Sequence, residues 1–130
     1  MSKKVLITGG AGFIGNHLAN KLLDSECQID LLDNFSRGVN DSQLADLAGN
    51  KKINLINADL LQSATAEQLD HDYGYIYHLA AVIGVKHVLK APYSVLTKNF
   101  ILLNNALEIA KCQKMLDRFV FTSTSEVYAG

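Results

Sequence analysis

Proline occurs once in this chain and cysteine twice, and neither apolar nor like-charged residues form a long run. Each scarcity excludes something. The longest apolar stretches fall far short of the roughly 20 residues that a membrane-spanning helix needs. The opening MSKKVLITGG has two lysines but only a four-residue apolar run before glycine, too short for a secretory signal. Cys27 and Cys112 stand alone, without metal or redox spacing, which fits a reducing, cytoplasmic setting. Twelve basic residues against thirteen acidic ones leave a formal charge of −1. With no basic cluster, neither nucleic acid nor an anionic membrane is an expected partner. There is no repeat, no low-complexity tract and no linker. At 130 residues and 48% apolar content, the expectation is one globular domain over 1–130.

What the chain does have is alternation. The runs at 5–8 (VLIT), 29–33 (IDLLD), 53–57 (INLIN), 75–80 (YIYHLA) and 118–123 (RFVFTS) read as strands. Their near-continuous hydrophobicity is that of strands buried on both faces, as in a parallel sheet. Between the first two, Ile14, Leu18 and Leu22 share a helical face. Residues 39–50 suggest a short helix ending near Gly49. Residues 63–70 suggest another, capped by Ser63 or Thr65, with an acidic first turn. The longest helix opens at Pro92 and runs to about 113. Leu96, Phe100, Leu103, Leu107 and Ala110 form its apolar stripe, widened almost around the cylinder by Ile101, Leu102, Ala106 and Ile109. The sum is an α/β fold: a Rossmann-type doubly wound parallel sheet of about five strands with helices on both faces.

The turn after the first strand, ITGGAGFIG, carries glycines at 9, 12 and 15 and opens a helix. Gly9 permits the tight turn, Gly12 lets backbone N–H groups approach a pyrophosphate, and Gly15 lets helix and strand pack closely. Asp33 ends the second strand 18 positions beyond Gly15. A carboxylate there accepts both ribose hydroxyls and disfavours a 2′-phosphate, so NAD is favoured over NADP, with Arg37 nearby as the opposing feature. The spacing of Gly10 and Gly15 also matches a Walker A loop. Asn16 and His17 then occupy the positions of its Lys and Ser/Thr, which excludes a P-loop NTPase.

TGGAGFIG, LLDNFSRG, NADL, YHLAA and TSTSEVYAG occur in one order along the chain. Together they resemble the extended short-chain dehydrogenase/reductase family, specifically its NAD-dependent nucleotide-sugar epimerases, dehydratases and decarboxylases. The likeness covers the N-terminal part of such enzymes, so the chain is expected to be C-terminally truncated relative to them. The resemblance implies that the backbone at Phe13 and Ile14 meets the pyrophosphate and that Asp33, Asn34 and Ser36 surround the adenosine ribose. Asp59 and Leu60 would contact adenine, the carboxylate taking the exocyclic amine and the leucine covering the ring. Taken alone, Asp59 reads as a loop cap. Leu79, Ala80 and Ala81 would back the pyrophosphate and nicotinamide ribose, and Asn99 would brace the strand ends. Without the family, Asn99 reads equally as a solvent-facing residue.

Thr124 stands where the family places a Ser or Thr whose hydroxyl bonds the sugar oxygen being oxidised. Glu126 follows in the manner of the decarboxylase and dehydratase branches, as an acid–base beside a 4-keto intermediate. A strand-end hydroxyl and a turn cap are the plain alternatives for these two. His78 falls at a position the family uses structurally and is left out of the catalytic set. His71 and His87 have no ligand-like pairing, so no metal is expected. The family's catalytic Tyr-x-x-x-Lys occurs nowhere in the 130 residues, so the chain alone is expected to be inactive or slow. The whole enzyme would act on a nucleotide-sugar and form a homodimer through the 92–113 helix. A non-catalytic NAD-binding module and a small-carbonyl reductase of the same fold are the alternatives.

Overall fold

The computed structural model describes residues 3–37 and 42–128, the side chain of Glu126 excepted. Five strands, β1 (Lys4–Thr8), β2 (Gln28–Asp33), β3 (Ile53–Asn57), β4 (Tyr73–His78) and β5 (Arg118–Phe121), form one parallel sheet. Their order is β3-β2-β1-β4-β5. Helices α1 (Phe13–Leu23) and α2 (Ser42–Ala48) supply Ala19 and Leu47 to a core with Val5, Ile7, Ile29 and Leu31. On the opposite face, α4 (Pro92–Lys111) supplies Leu102, Ala106 and Ile109 to a core with Leu6, Leu32, Tyr73 and Ile76. This is the doubly wound sheet that the alternation of runs predicts. The chain leaves β1 toward β2 and β3, then returns to β4 on β1's other side. The C-terminal ends of β1 and β4 therefore flank the switch point, where such sheets leave a crevice.

Several local expectations change. β4 starts two residues early because Gly74 is an extra residue in its pairing, Tyr73 facing Lys4 and Tyr75 facing Val5. It also ends at His78, since the chain then turns to pass over Gly9, and β5 likewise ends early, at Phe121. Residues 63–68 form a 3₁₀ turn rather than an α-helix. Gln62 is its N-cap, without a side-chain bond, and its first turn holds no acid. Thr65 instead gives its hydroxyl to the carbonyl of Asp59 at 2.6 Å. Ile14 leaves the expected face of α1 and is exposed, while Leu18 and Leu22 pack on the core. Within the loop after β4, α3 (Val85–Lys90) follows Gly84 at φ +116°. None of its residues is buried, so it has no amphipathic period to read.

α4 shows the largest correction. Its buried residues are Leu102, Asn105, Ala106 and Ile109, whereas Leu96, Phe100 and Leu107 of the expected stripe are exposed. The core-facing side includes a polar residue, Asn105, whose amide donates to the carbonyl of Leu60 at 2.8 Å. Counting apolar residues alone therefore favours the wrong side of the cylinder.

A second buried polar group lies toward the N-terminal ends of the strands. Asp30 accepts the Tyr73 hydroxyl, takes the Asn54 amide at 3.2 Å, and lies 3.5 Å from the Lys4 ammonium. Lys4 is shared with Asp70. Burial, with the Asp30 carboxylate beside it, holds the Tyr73 phenol above its ordinary pKa.

Candidate functional site

The crevice begins with the turn out of β1. Gly9 sits at φ +69°, a left-handed conformation that glycine adopts without cost. A side chain there would also collide with the next strand's exit, its Cβ falling 2.8 Å from the Ala80 nitrogen. The N–H groups of Gly9 and Gly10 both reach the carbonyl of Leu32, at 2.8 and 3.2 Å, pulling the turn onto β2. Gly15 packs on that turn, since a Cβ at Gly15 would lie 2.7 Å from the Gly10 backbone. Gly10, whose spacing to Gly15 matches a Walker A loop, is equally constrained. A Cβ on it would meet the Leu31 side chain at 2.8 Å. Only burial on the neighbouring strand exposes that role.

Helix α1 then starts at Phe13, and helix geometry leaves its first N–H groups without intrahelical acceptors. Phe13 and Ile14 are exposed, 80% and 64% respectively, so this helix end is open to an anionic group. Asp33 closes the other side at the end of β2. One of its carboxylate oxygens accepts the Ala11 N–H at 3.0 Å, and the other accepts the Phe35 N–H at 2.9 Å. Asn34 accepts the Ser36 N–H at 3.0 Å, an Asx turn that carries Phe35 at φ +54°. Each carboxylate oxygen keeps a second lone pair for a further donor.

Beyond β3, Ala58 donates to the carbonyl of Asp33 at 3.1 Å, holding the two strand ends together. Asp59 takes the Leu61 N–H at 2.9 Å and so does act as a loop cap. Leu60 is 5% exposed and packed in the core, its carbonyl accepting the Asn105 amide at 2.8 Å, so its side chain is not open to cover a ring. On the β4 side, Leu79 donates to the carbonyl of Thr8 at 3.1 Å, and Ala80 donates to the Thr8 hydroxyl at 3.2 Å. Ala81 follows at the surface. Asn99 of α4 binds both main-chain groups of Val82, accepting its N–H at 2.7 Å and donating to its carbonyl at 3.1 Å. It is half-buried and anchors the segment beyond Ala81.

Past β5, the Thr122 hydroxyl donates to the carbonyl of His78 at 3.1 Å. Thr124 is exposed in the following turn, just before the 3₁₀ segment Ser125–Tyr128. The carboxylate of Glu126 lies outside the described residues. His78 is buried, and that burial lowers its pKa to about 4, so its ring is neutral near pH 7. Among the described residues no group of three or more His, Cys, Asp or Glu side chains is gathered as a metal site. No helix there is long and apolar enough to cross a membrane.

A close-approach glycine turn, an open helix N-terminus and a strand-end carboxylate together fit the pyrophosphate and ribose of a dinucleotide. NAD at this site would supply the hydride acceptor for oxidation of a substrate hydroxyl.

Residues 5–130 match the model of the NAD dependent epimerase/dehydratase family. A UDP-N-acetyl-alpha-D-glucosaminuronate decarboxylase of Bacillus cytotoxicus is 37% identical over 128 residues, which is 98% of this chain and 38% of that protein. The structure of the UDP-Glc/GlcNAc 4-epimerase of Campylobacter jejuni is similar at a TM-score of 0.85 and 29% identity, covering 98% of this chain and 39% of that one. DesIV, a dTDP-glucose 4,6-dehydratase of Streptomyces venezuelae solved with NAD and TYD bound, is similar at a TM-score of 0.82 and 26% identity. That match covers 96% of this chain and 40% of DesIV. The chain thus spans about two fifths of the length of these proteins.

Proposed function

The chain belongs to the NAD-dependent epimerase/dehydratase family, and on that premise we propose that it is the NAD-binding domain of a nucleotide-sugar enzyme. The observation that carries this reading is the crevice at the β1/β4 switch point. There the Gly9 turn, the open start of α1 and the Asp33 carboxylate converge. Phe13, Ile14 and Gly15 offer main-chain donors to the pyrophosphate, and Asp33, Asn34 and Ser36 face the adenosine ribose. Asp59 takes the adenine, while Leu79, Ala80 and Ala81 form the wall beside the nicotinamide ribose. NAD is preferred to NADP because the Asp33 carboxylate repels a 2′-phosphate.

The complete protein would act on a UDP-linked sugar through a 4-keto intermediate. Decarboxylation is favoured over epimerisation by the 37% identical Bacillus decarboxylase and by the Thr124–Ser125–Glu126 sequence. Thr124 would hydrogen-bond the oxygen that loses its proton, and Glu126 would exchange a proton with the keto sugar. The tyrosine–lysine pair that takes that proton would come from sequence beyond these 130 residues. The exposed apolar residues Leu96, Phe100 and Leu107 of α4 support a homodimer through this helix. Two free cysteines, one buried and one exposed, fit residence in the cytoplasm.

A second reading is a non-catalytic NAD-binding module, which needs no Tyr-x-x-x-Lys pair. Sequencing the gene past codon 130 separates the two, because only the enzyme reading requires that motif downstream. Fluorescence titration with NADH and NADPH tests the shared premise. Tighter NADH binding is expected. Equal affinities would overturn the Asp33 argument, and no binding of either would overturn the cofactor reading.

A further inference from the structure

His78, the last residue of β4, contacts the ends of β1 and β5 on its side of the crevice. Its Nδ1 lies 2.7 Å from the Thr8 hydroxyl at the end of β1. The same hydroxyl receives the Ala80 N–H at 3.2 Å. Its ring stacks on Phe119 and Phe121 of β5, with centroids 6.4 and 6.3 Å away. Its carbonyl accepts the Thr122 hydroxyl at 3.1 Å and the Thr122 N–H at 3.5 Å. One residue therefore joins the turn that opens the glycine loop, the Ala80 wall and the exit of β5.

Proton counting gives the pair a direction. The Ala80 N–H can only donate, so the Thr8 oxygen is its acceptor. The hydroxyl has one proton left to give, and His78 Nδ1 is the acceptor at hand. The ring is then the neutral Nε2–H tautomer, consistent with its burial. The placement of Ala80 also matters for Gly9, because the Ala80 nitrogen stands where a Gly9 side chain would begin. A shift of Ala80 would change its spacing from Gly9.

We propose that His78 is a positioning residue for cofactor binding. It orients the Thr8 hydroxyl, which in turn holds Ala80 and the segment 79–81 at the spacing from Gly9 that the cofactor requires. This rests on the reading that the chain binds NAD. The partner is a chain's own hydroxyl, so the role needs a hydrogen-bond acceptor at Nδ1 and nothing else from imidazole. Asparagine places an amide oxygen close to that point, and leucine places none.

The test compares NADH affinity in the unmutated chain, His78→Leu, His78→Asn and Thr8→Val, with circular dichroism of each. Folded His78→Leu and Thr8→Val should bind NADH about tenfold more weakly, as expected when a buried N–H loses its oriented acceptor. His78→Asn should recover most of that loss, which a purely structural role would not produce. If His78→Leu does not fold, the near-isosteric Thr8→Val decides. Nitrogen NMR of the ring should show the Nε2–H tautomer, and the Nδ1–H tautomer would overturn the proposal. Unaltered affinity in the folded Leu and Val variants, while the unmutated chain binds, overturns this proposal alone. No binding by the unmutated chain overturns the cofactor reading, and this proposal with it.

Discussion

Asp33 accepts the backbone N–H of Ala11 at 3.0 Å, so the carboxylate that would face the ribose also fastens the glycine loop to the end of β2. Its other oxygen holds Phe35 in the adjoining turn. Removing the carboxylate therefore acts on two parts of the site. Asp33→Ala should weaken NAD about tenfold or more through the lost bonds, while NADP gains from the lost repulsion. The NAD/NADP preference should narrow or reverse. Asp33→Asn keeps one acceptor and should fall between. Calorimetric titration with both cofactors checks this, and hydrogen exchange at Ala11 should rise most in the alanine variant.

His78 links stability to pH. Its folded pKa is held down at about 4 by burial, against 6.5 for an ordinary histidine. Between these values the unfolded chain binds more protons than the folded one, so stability rises with pH. The contribution is complete above pH 6.5, is lost as pH falls toward 4, and levels off below. The loss should be on the order of 3 kcal/mol. The ring's described contacts, Thr8, Phe119 and Phe121, carry no charge. Urea unfolding at a series of pH values should show this slope, and His78→Asn should flatten it.

The Asp30 cluster makes a stability prediction away from the crevice. Asp30→Ala strands the Tyr73 hydroxyl and takes one carboxylate from Lys4, and should cost roughly 3 kcal/mol or more. Tyr73→Phe leaves Asp30 with Asn54 and Lys4 and should cost about 1–2 kcal/mol. Chemical denaturation ranks the two, and the reverse order would show that the Tyr73 hydroxyl, not the Asp30 carboxylate, decides the cluster's energy. NADH affinity should change little in either folded variant.

Much of this architecture was legible because its signals are short-range. The apolar runs at 5–8, 29–33 and 53–57 became strands at nearly those bounds. The glycines announced a turn that only residues without a Cβ can make. The failures share one cause, which is that a single sequence does not say what lies across from a residue. Asn105 faces the core because Leu60 offers it a carbonyl, so α4 turned a different side inward than its apolar count suggests. Leu60 is held in the core by the same pairing. Gly10 is required by Leu31 on another strand. The helix α3 buries nothing and so left no period in the sequence.

Titration of the isotope-labelled chain with NAD⁺, followed at each backbone amide, maps where the cofactor binds. Saturable shifts are expected at residues 9–15, 33–36 and 79–81. The groove lined by Lys3, Leu22, Ser25, Cys27 and Tyr75, where β1 begins beside the end of α1, should stay unmoved. No saturable shifts, or shifts centred on that groove, would contradict binding at the crevice.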